Sequence, residues 1–103
     1  MGQKPPETYS TFVARYPELS TAWDHIRAAE GAGPLDVPTQ RLLKLAVAIG
    51  AMREGAVHSA VRKARSAGVT DEAIRQVVAL GASVLGMPST VAVHTWVNDV
   101  LEA

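Results

Sequence analysis

Few side chains of this chain have the chemistry needed for catalysis, and two of them fall about one helical turn apart. Glu54 and His58 are four positions apart in a segment whose apolar spacing is helical, so the carboxylate and the imidazole share one helix face. A neighbouring carboxylate fixes the tautomer of an imidazole, as a general base requires. Arg62, one turn further, and Arg53 carry planar guanidinium groups that suit an anionic substrate. We therefore predict Glu54 and His58 as catalytic residues, and Arg53 and Arg62 as substrate-binding residues.

The last helical segment contributes two more substrate-binding candidates, His94 and Trp96. Each has a simpler interpretation, because His94 at the edge of an apolar stripe fits a hydrogen-bonded boundary residue and Trp96 fits a core or interface residue. Trp23 has the same two interpretations as Trp96, and it becomes a pocket wall only if a cavity exists. The Glu54 and His58 spacing also fits an ordinary exposed helix face, where such a pair contributes roughly a few tenths of a kcal/mol.

The absence of cysteine removes several classes of chemistry together. With no cysteine in the chain, disulfides, zinc-thiolate sites and thiol catalysis are excluded. The three histidines are scattered and no carboxylates stand at ligand spacing, so we predict no metal site, although one shared between subunits stays open. No glycine-rich phosphate loop occurs either. Any activity is therefore expected to be cofactor-independent proton transfer in a site shielded from solvent.

Composition and charge indicate a soluble intracellular protein. Ten basic and ten acidic residues give a formal net charge of zero, and the densest basic stretch is 62–65, so neither nucleic acid nor membrane is an expected partner. The first residues lack the apolar run of a signal peptide. The longest strongly apolar run, residues 45–52, is far shorter than the roughly 20 residues that cross a bilayer. We predict a cytoplasmic location.

Apolar spacing predicts an all-α fold, a compact bundle of five to six helices in one domain spanning residues 1–103. Residues 1–6 are expected to be flexible, and residues 7–33 to form an N-terminal helical hairpin. The hairpin's predicted apolar faces comprise Tyr9, Phe12, Val13, Tyr16, Leu19, Ala22, Trp23 and Ile26. No segment alternates with a period of two for long enough to predict a strand.

The remaining segments predict four more helices separated by recognisable caps. The expected landmarks are an N-cap at Asp36, a helix to about Met52, a helix from about Glu54 to Ser66 closed by Gly68, an N-cap at Thr70, and a break at Gly86 and Pro88. The fifth helix is expected to bury Ile74, Val77, Val78, Gly81, Val84 and Leu85. The third is apolar on nearly every side in its second half, which so small a chain can hardly cover alone, and this predicts subunit contacts.

Residues from about Leu35 to Leu85 resemble the carboxymuconolactone decarboxylase family, which includes the alkyl hydroperoxide reductase D-like proteins. The resemblance lies in the segments 41–47, 53–62 and 67–74 and in the break at residues 86–88. It implies the family's helical bundle, and assembly as a homotrimer or homohexamer with pockets near the subunit contacts.

The chain departs from the family at the positions that carry its better-known chemistry. Redox members have Cys-x-x-Cys-x-x-x-His after an upstream glutamate, and the corresponding residues here are Arg53, Ala56, Ala60 and Arg41. Peroxidase chemistry needs a thiolate and is not implied. Lactone-decarboxylase members keep a histidine where this chain has Ala60. A cysteine-free branch is more similar, with Arg-Glu-Gly-Ala-Val-His followed by a second histidine, again at position 60.

Three hypotheses follow from the sequence. The first is a lyase-like acid-base enzyme that acts on a small organic acid or lactone, with Glu54 and His58 at its centre. The second is a non-catalytic oligomeric binding or scaffold protein that kept the fold. The third is an engineered active site on this scaffold, suggested only by the small residues Ala60, Ala82 and Ser83. Natural drift and deliberate replacement both explain Ala60.

Overall fold

A computed structural model describes residues 7–103, and within that range the chain is helical and has no strand. Its six helices are α1 (Glu7–Arg15), α2 (Pro17–Glu30), α3 (Val37–Gly50), α4 (Glu54–Ser66), α5 (Asp71–Leu85) and α6 (Met87–Leu101). The all-α prediction is confirmed. The prediction of a flexible terminus at residues 1–6 lies outside the described residues.

The helix starts follow the capping residues that the sequence contains. The carboxylate of Asp36 accepts a hydrogen bond from the Thr39 backbone N–H at 2.9 Å, and the hydroxyl of Thr70 accepts one from the Ala73 N–H at 3.1 Å. Both predicted N-caps are confirmed, because each satisfies a backbone donor that the first turn leaves unpaired. The hydrogen bonds from Thr39 hold the pKa of the Asp36 carboxyl below its usual value.

Gly86 joins the last two helices and adopts a backbone conformation reserved for glycine. With φ of 85° and ψ of 161°, it is both the C-cap of α5 and the residue before the first turn of α6. Residues with a β-carbon are strained there. Its N–H donates to the Ala82 carbonyl at 2.9 Å, and its carbonyl accepts from the Thr90 N–H at 3.1 Å. The predicted break is confirmed, and one residue sets the direction of α6.

The described chain divides into two compact units, which meet in sequence between Pro34 and Leu35. The first contains α1 and α2, which agrees with the hairpin predicted for residues 7–33. Neither helix has a buried residue. Six large apolar side chains remain 38–49% exposed: Tyr9, Phe12, Tyr16, Leu19, Trp23 and Ile26. The prediction of Trp23 as a core residue is therefore wrong, because the hairpin leaves it outside any core, and its role as an interface residue stays a prediction. The single-domain prediction also stays a prediction.

The second unit has a continuous core drawn from α3, α4, α5 and α6. Its buried members are Leu45, Ile49, Val57, Val61, Ala64, Ile74, Val78, Val93 and Val97. Both α3 and α6 contact α4, and α5 contacts α3 and α6. This arrangement places polar residues at the edges of α4 and α6 beside one another.

An apolar groove runs between α3 and α5. Its volume is about 350 Å³, and its lining is Leu42, Leu43, Ala46, Ile49, Gly50, Val77, Leu80, Gly81, Val84 and Leu85. Val84 is 83% exposed, so its predicted place in the buried stripe is wrong, because in the last turn of α5 it is Leu85 that packs against the core. Val47 of α3 is 72% exposed, as expected of a helix that is apolar on every side. No helix in the described range is long and apolar enough to cross a membrane.

Candidate active site

The predicted catalytic residues occupy the first half of α4, beside its buried face. Val57, Val61 and Ala64 point into the core, and His58 lies at the edge of this buried face. The His58 side chain is 22% exposed, whereas Glu54 is an exposed residue of the first turn. An imidazole in this position has its ring held by packing while one edge remains accessible.

A carboxylate from α6 completes the site. The Nε2 atom of His58 lies 3.0 Å from Oδ2 of Asp99, which is a hydrogen-bonding and ion-pairing distance. The Asp99 side chain is 51% exposed. The contact exists because α4 and α6 share the core, with Val57 on one helix and Val97 on the other.

Glu54, His58 and Asp99 form one cluster, which we call the triad. Each contributes a nitrogen or oxygen atom, and these three atoms lie within 4.8 Å of one another. The spacing of Glu54 and His58 thus places them together, as the sequence indicated, and the catalytic roles of both residues stay predictions. Within the described residues, Glu54 has no arginine or lysine partner, and Asp99 is paired with His58 alone.

The two predicted anion-binding arginines lie on either side of Glu54 and His58 in sequence. Arg62 is exposed one turn after His58 on α4, and no hydrogen bond or ion pair joins its side chain to another described residue. Arg53 is also exposed and immediately precedes α4, where its carbonyl accepts a hydrogen bond from Val57 at 2.9 Å. Both guanidinium groups are free to bind an anion, and their substrate-binding roles stay predictions.

Residues 17–99 match the carboxymuconolactone decarboxylase family. The chain belongs to this family. No curated protein and no solved structure gives a significant match. The match covers α2 to α5 and α6 as far as residue 99, and it includes all three residues of the triad.

Within this carboxymuconolactone decarboxylase family member, the positions of the missing family residues are now visible. Ala60, where other members have histidine, is half-buried on α4 and packs against the core. Arg53 and Ala56, at the cysteine positions, are exposed. His58, two residues before Ala60 on the same helix, has its hydrogen-bonding partner on α6.

His94 and Trp96 lie in different surroundings from the triad. The His94 ring bonds Asn98 at 3.0 Å, and the Asn98 amide oxygen accepts a hydrogen bond from Arg75 at 2.6 Å. His94 thus belongs to a polar network between α5 and α6, which fits its interpretation as a hydrogen-bonded boundary residue. Trp96 is half-buried against the core, as the core interpretation predicted. No contact of either residue supports a substrate-binding role, which stays a prediction.

Sequence reasoning missed Asp99. A signal for it exists, since Ala92, Trp96 and Asp99 follow one another at helical spacing and the first two are half-buried. A carboxylate that ends such a stripe is expected at the edge of a helix contact. Which helix it would meet depends on the packing of α6 against α4, and the sequence of α6 carries no information on its neighbour.

The triad lies at the surface of the chain. Two of its three side chains are exposed, and none of them lines the apolar groove between α3 and α5. The expected shielding from solvent is therefore present only at His58. Chemically, the arrangement can hold an imidazole in one tautomer: if the Nε2–H donates to Asp99, the lone pair of Nδ1 is available to accept a proton.

Proposed function

We propose that this family member is a cofactor-independent enzyme that performs acid-base chemistry on a small organic acid or lactone, and is not a thiol peroxidase. The observation that carries the proposal is the 3.0 Å contact between His58 and Asp99, made beside Glu54. A base, an orienting carboxylate and a second acid are the groups that proton transfer to and from carbon requires.

Asp99 acts on the substrate only through His58. Its carboxylate accepts the Nε2–H, keeps the ring in one orientation and stabilises the positive charge that forms when Nδ1 takes a proton. Glu54, one turn earlier, is the candidate for a second proton-transfer group. Because its side chain is exposed, it exchanges protons with solvent and resets the site after each turnover.

Decarboxylation of a carboxylated lactone is an example of the proposed acid-base chemistry. The bond between the substrate carbon and its carboxylate breaks, carbon dioxide leaves, and the electron pair stays on the carbon next to an electron-withdrawing lactone. The protonated His58 then gives its proton to that carbon, so the electron pair becomes a C–H bond and the imidazole is neutral again. No external oxidant or reductant is consumed.

Arg62 supplies the substrate anchor in this proposal. Its guanidinium has no partner among the described residues and lies one turn from His58. A carboxylate held there by a planar fork presents neighbouring carbon atoms to the imidazole. Arg53, exposed at the start of α4, is the second candidate for this anchor.

Closure of the site is assigned to other copies of the chain. A triad open to water does little catalysis, since electrostatic effects weaken in a high dielectric. The exposed apolar side chains of α3 and α5 favour self-association, so the proposal includes a homotrimer or homohexamer. Beyond itself, the chain is expected to bind only a small-molecule substrate, and a cytoplasmic location is part of the proposal.

Replacing His58 by alanine tests the proposal. The full chain and the variant are assayed for turnover of carboxylated lactones, with His94→Ala as the matched control, because His94 is an imidazole outside the triad. Loss of about 10²-fold to 10⁴-fold in kcat/KM is expected for His58→Ala alone. Equal turnover by the parent and His58→Ala removes the proposal.

A non-catalytic binding or scaffold protein is the alternative, and one observation favours it. The apolar groove between α3 and α5 contains no residue of the triad, so the best-formed concavity and the reactive groups are separate. A binding protein would hold ligand in that groove without turning it over. Saturable binding that survives His58→Ala, with no turnover by the parent chain, identifies this alternative.

A further inference from the structure

The donor set of the triad has a second chemical use. Imidazole nitrogen and carboxylate oxygen are the protein ligands of first-row divalent cations, and the triad offers one of the former and two of the latter. We propose that Glu54, His58 and Asp99 form a binding site for a first-row divalent cation of the zinc type, which regulates the site by switching off its base.

The geometry is close to that of a bound ion. Two ligands bonded to one cation at about 2.1 Å can be at most about 4.2 Å apart. The His58 Nε2 and Asp99 Oδ2 atoms, at 3.0 Å, already meet this limit, and all three donor atoms of the triad lie within 4.8 Å of one another. Glu54 is exposed, so a small movement of its carboxylate closes the set without disturbing the core. Three ligands leave a fourth position for water.

The local charge also favours a cation. Two other carboxylates of the second unit are paired with arginine: Asp71 with Arg65 at 3.1 Å, and Glu102 with Arg75 at 3.4 Å. In the triad, two carboxylates converge on one imidazole and, among the described residues, no lysine or arginine pairs with either. A divalent cation offsets both carboxylate charges, as a single arginine would not.

Two helices hold the ligands in place. Glu54 and His58 project from α4 and Asp99 from α6, and the two helices share the buried core of the second unit. Ligands on packed helices lose little conformational freedom on binding, which strengthens a site. The imidazole also selects the metal, since magnesium and calcium prefer sets made only of oxygen ligands.

The regulatory part rests on the proposed function. A cation on Nε2 leaves the neutral ring with its proton on Nδ1, so neither nitrogen has a lone pair to take up the extra proton that His58 must carry before it protonates the substrate. The metal-bound protein is then unable to use His58 as a base. Metal binding itself does not depend on any activity.

Calorimetric titration of the full chain with zinc chloride tests the inference, with magnesium chloride as the comparison. We expect one zinc ion per chain and no saturable binding of magnesium. Affinity for zinc is expected to fall at least about tenfold in His58→Gln, Asp99→Asn and Glu54→Gln, in line with loss of one ligand. It is expected to be unchanged in His94→Gln. The ¹⁵N shifts of the His58 ring report directly whether that ring takes the metal, and circular dichroism reports whether each variant is folded.

The results separate this inference from the proposed enzyme. No stoichiometric zinc binding, equal weakening by His94→Gln, or unchanged affinity in either carboxylate variant overturns the three-ligand site. Turnover is measured independently in the presence of a chelator. If zinc binds but no turnover is seen in the presence of the chelator, only the proposed enzymatic function is contradicted. If turnover is seen but zinc does not bind, only the proposed metal site is contradicted. If both are present, added zinc is expected to stop turnover in the parent chain.

Discussion

The imidazole of His58 and the carboxylate of Asp99 meet at 3.0 Å although the two residues are 41 positions apart in the chain. Asp99 lies on α6 and His58 on α4, so the contact joins the two helices at the candidate site. The contact adds a residue of α6 to the Glu54 and His58 pair of α4, so the complete cluster forms only when the two helices pack together. The role of this contact can be tested separately from that of the histidine itself.

Asp99→Asn is expected to lower kcat/KM by about 10²-fold or more while leaving the fold intact, because an amide can bond the ring in either orientation and cannot stabilise its positive charge. Kinetics with carboxylated lactones measure the loss, and ¹⁵N spectra of the His58 ring report the change of tautomer. Glu102→Gln, at the C-cap of the same helix, is the matched control, since Glu102 pairs with Arg75 at the surface. An unaltered ring spectrum in Asp99→Asn contradicts the positioning role.

Arg62→Gln is expected to raise KM for a carboxylated lactone by about tenfold, because the neutral amide cannot form the charged, planar fork. The same lactone with its carboxylate esterified cannot be decarboxylated and serves as the control ligand, and its inhibition constant should be the same for both proteins. Steady-state kinetics make the comparison. Equal KM values for the acid in the parent and in Arg62→Gln would show that Arg62 is not the anchor, and Arg53→Gln is then the next variant to measure.

Val84→Lys is expected to shift the chain toward smaller species in sedimentation velocity experiments. Val84 is 83% exposed at the rim of the apolar groove, and a charge in an apolar subunit contact is unfavourable. Gln76→Lys places the same charge on the exposed side of α5, outside the groove, and should leave the distribution unchanged. A monomeric parent chain, or two variants that sediment like the parent, speaks against self-association through this surface.

Leu45→Ala is expected to lower the free energy of unfolding by about 2–5 kcal/mol, because Leu45 is fully buried and its truncation leaves a cavity in the core. Leu35→Ala makes the same chemical change at a side chain that is 49% exposed, and about half that loss or less is expected. Urea denaturation followed by circular dichroism measures both values. Similar losses of unfolding free energy for the two variants would show that Leu45 is not a core residue.

Asp36→Asn is expected to remove one pH-dependent contribution to stability. The folded-state pKa of Asp36 is lowered by its hydrogen bonds to Thr39, so the folded chain favours the charged form. This contribution is complete above the pKa of the unfolded chain and disappears as pH falls through the lower, folded value. Asparagine also caps helices but does not titrate. Unfolding measured from about pH 5 to about pH 2 should show the parent losing stability relative to the variant. If the free energies of unfolding of the parent and the variant differ by the same amount over this pH range, the lowered pKa of Asp36 is contradicted.

Much of the fold could be predicted from the sequence because the signals for helix ends are local. Asp36 and Thr70 make the capping hydrogen bonds that their residue types predict, and Gly86 lies at the predicted break. Burial was harder to predict. Val84 continues the apolar spacing of α5 and is nevertheless exposed. Apolar periodicity identifies the apolar face of a helix but does not show which element covers it.

The candidate site could be predicted only for its part within one helix. Glu54 and His58 come together because residues four positions apart lie on the same face of a helix, which their spacing in the sequence already indicates. Asp99 depends on how α6 packs against α4, and that packing is a property of the whole core. For the same reason, the sequence could not show that the triad and the apolar groove are separate.

The glycine between α5 and α6 bears on the site from a distance. No side chain or backbone atom outside its immediate neighbours lies within 4 Å of where a β-carbon at position 86 would stand, so substitution there would meet no steric obstacle. The cost would be a change in backbone direction, and α6 carries Asp99 in its last turns. The alignment of the Asp99 carboxylate with the His58 imidazole thus depends on Gly86, which contacts neither residue. A substitution at this glycine can therefore lower activity although every reacting side chain is still present.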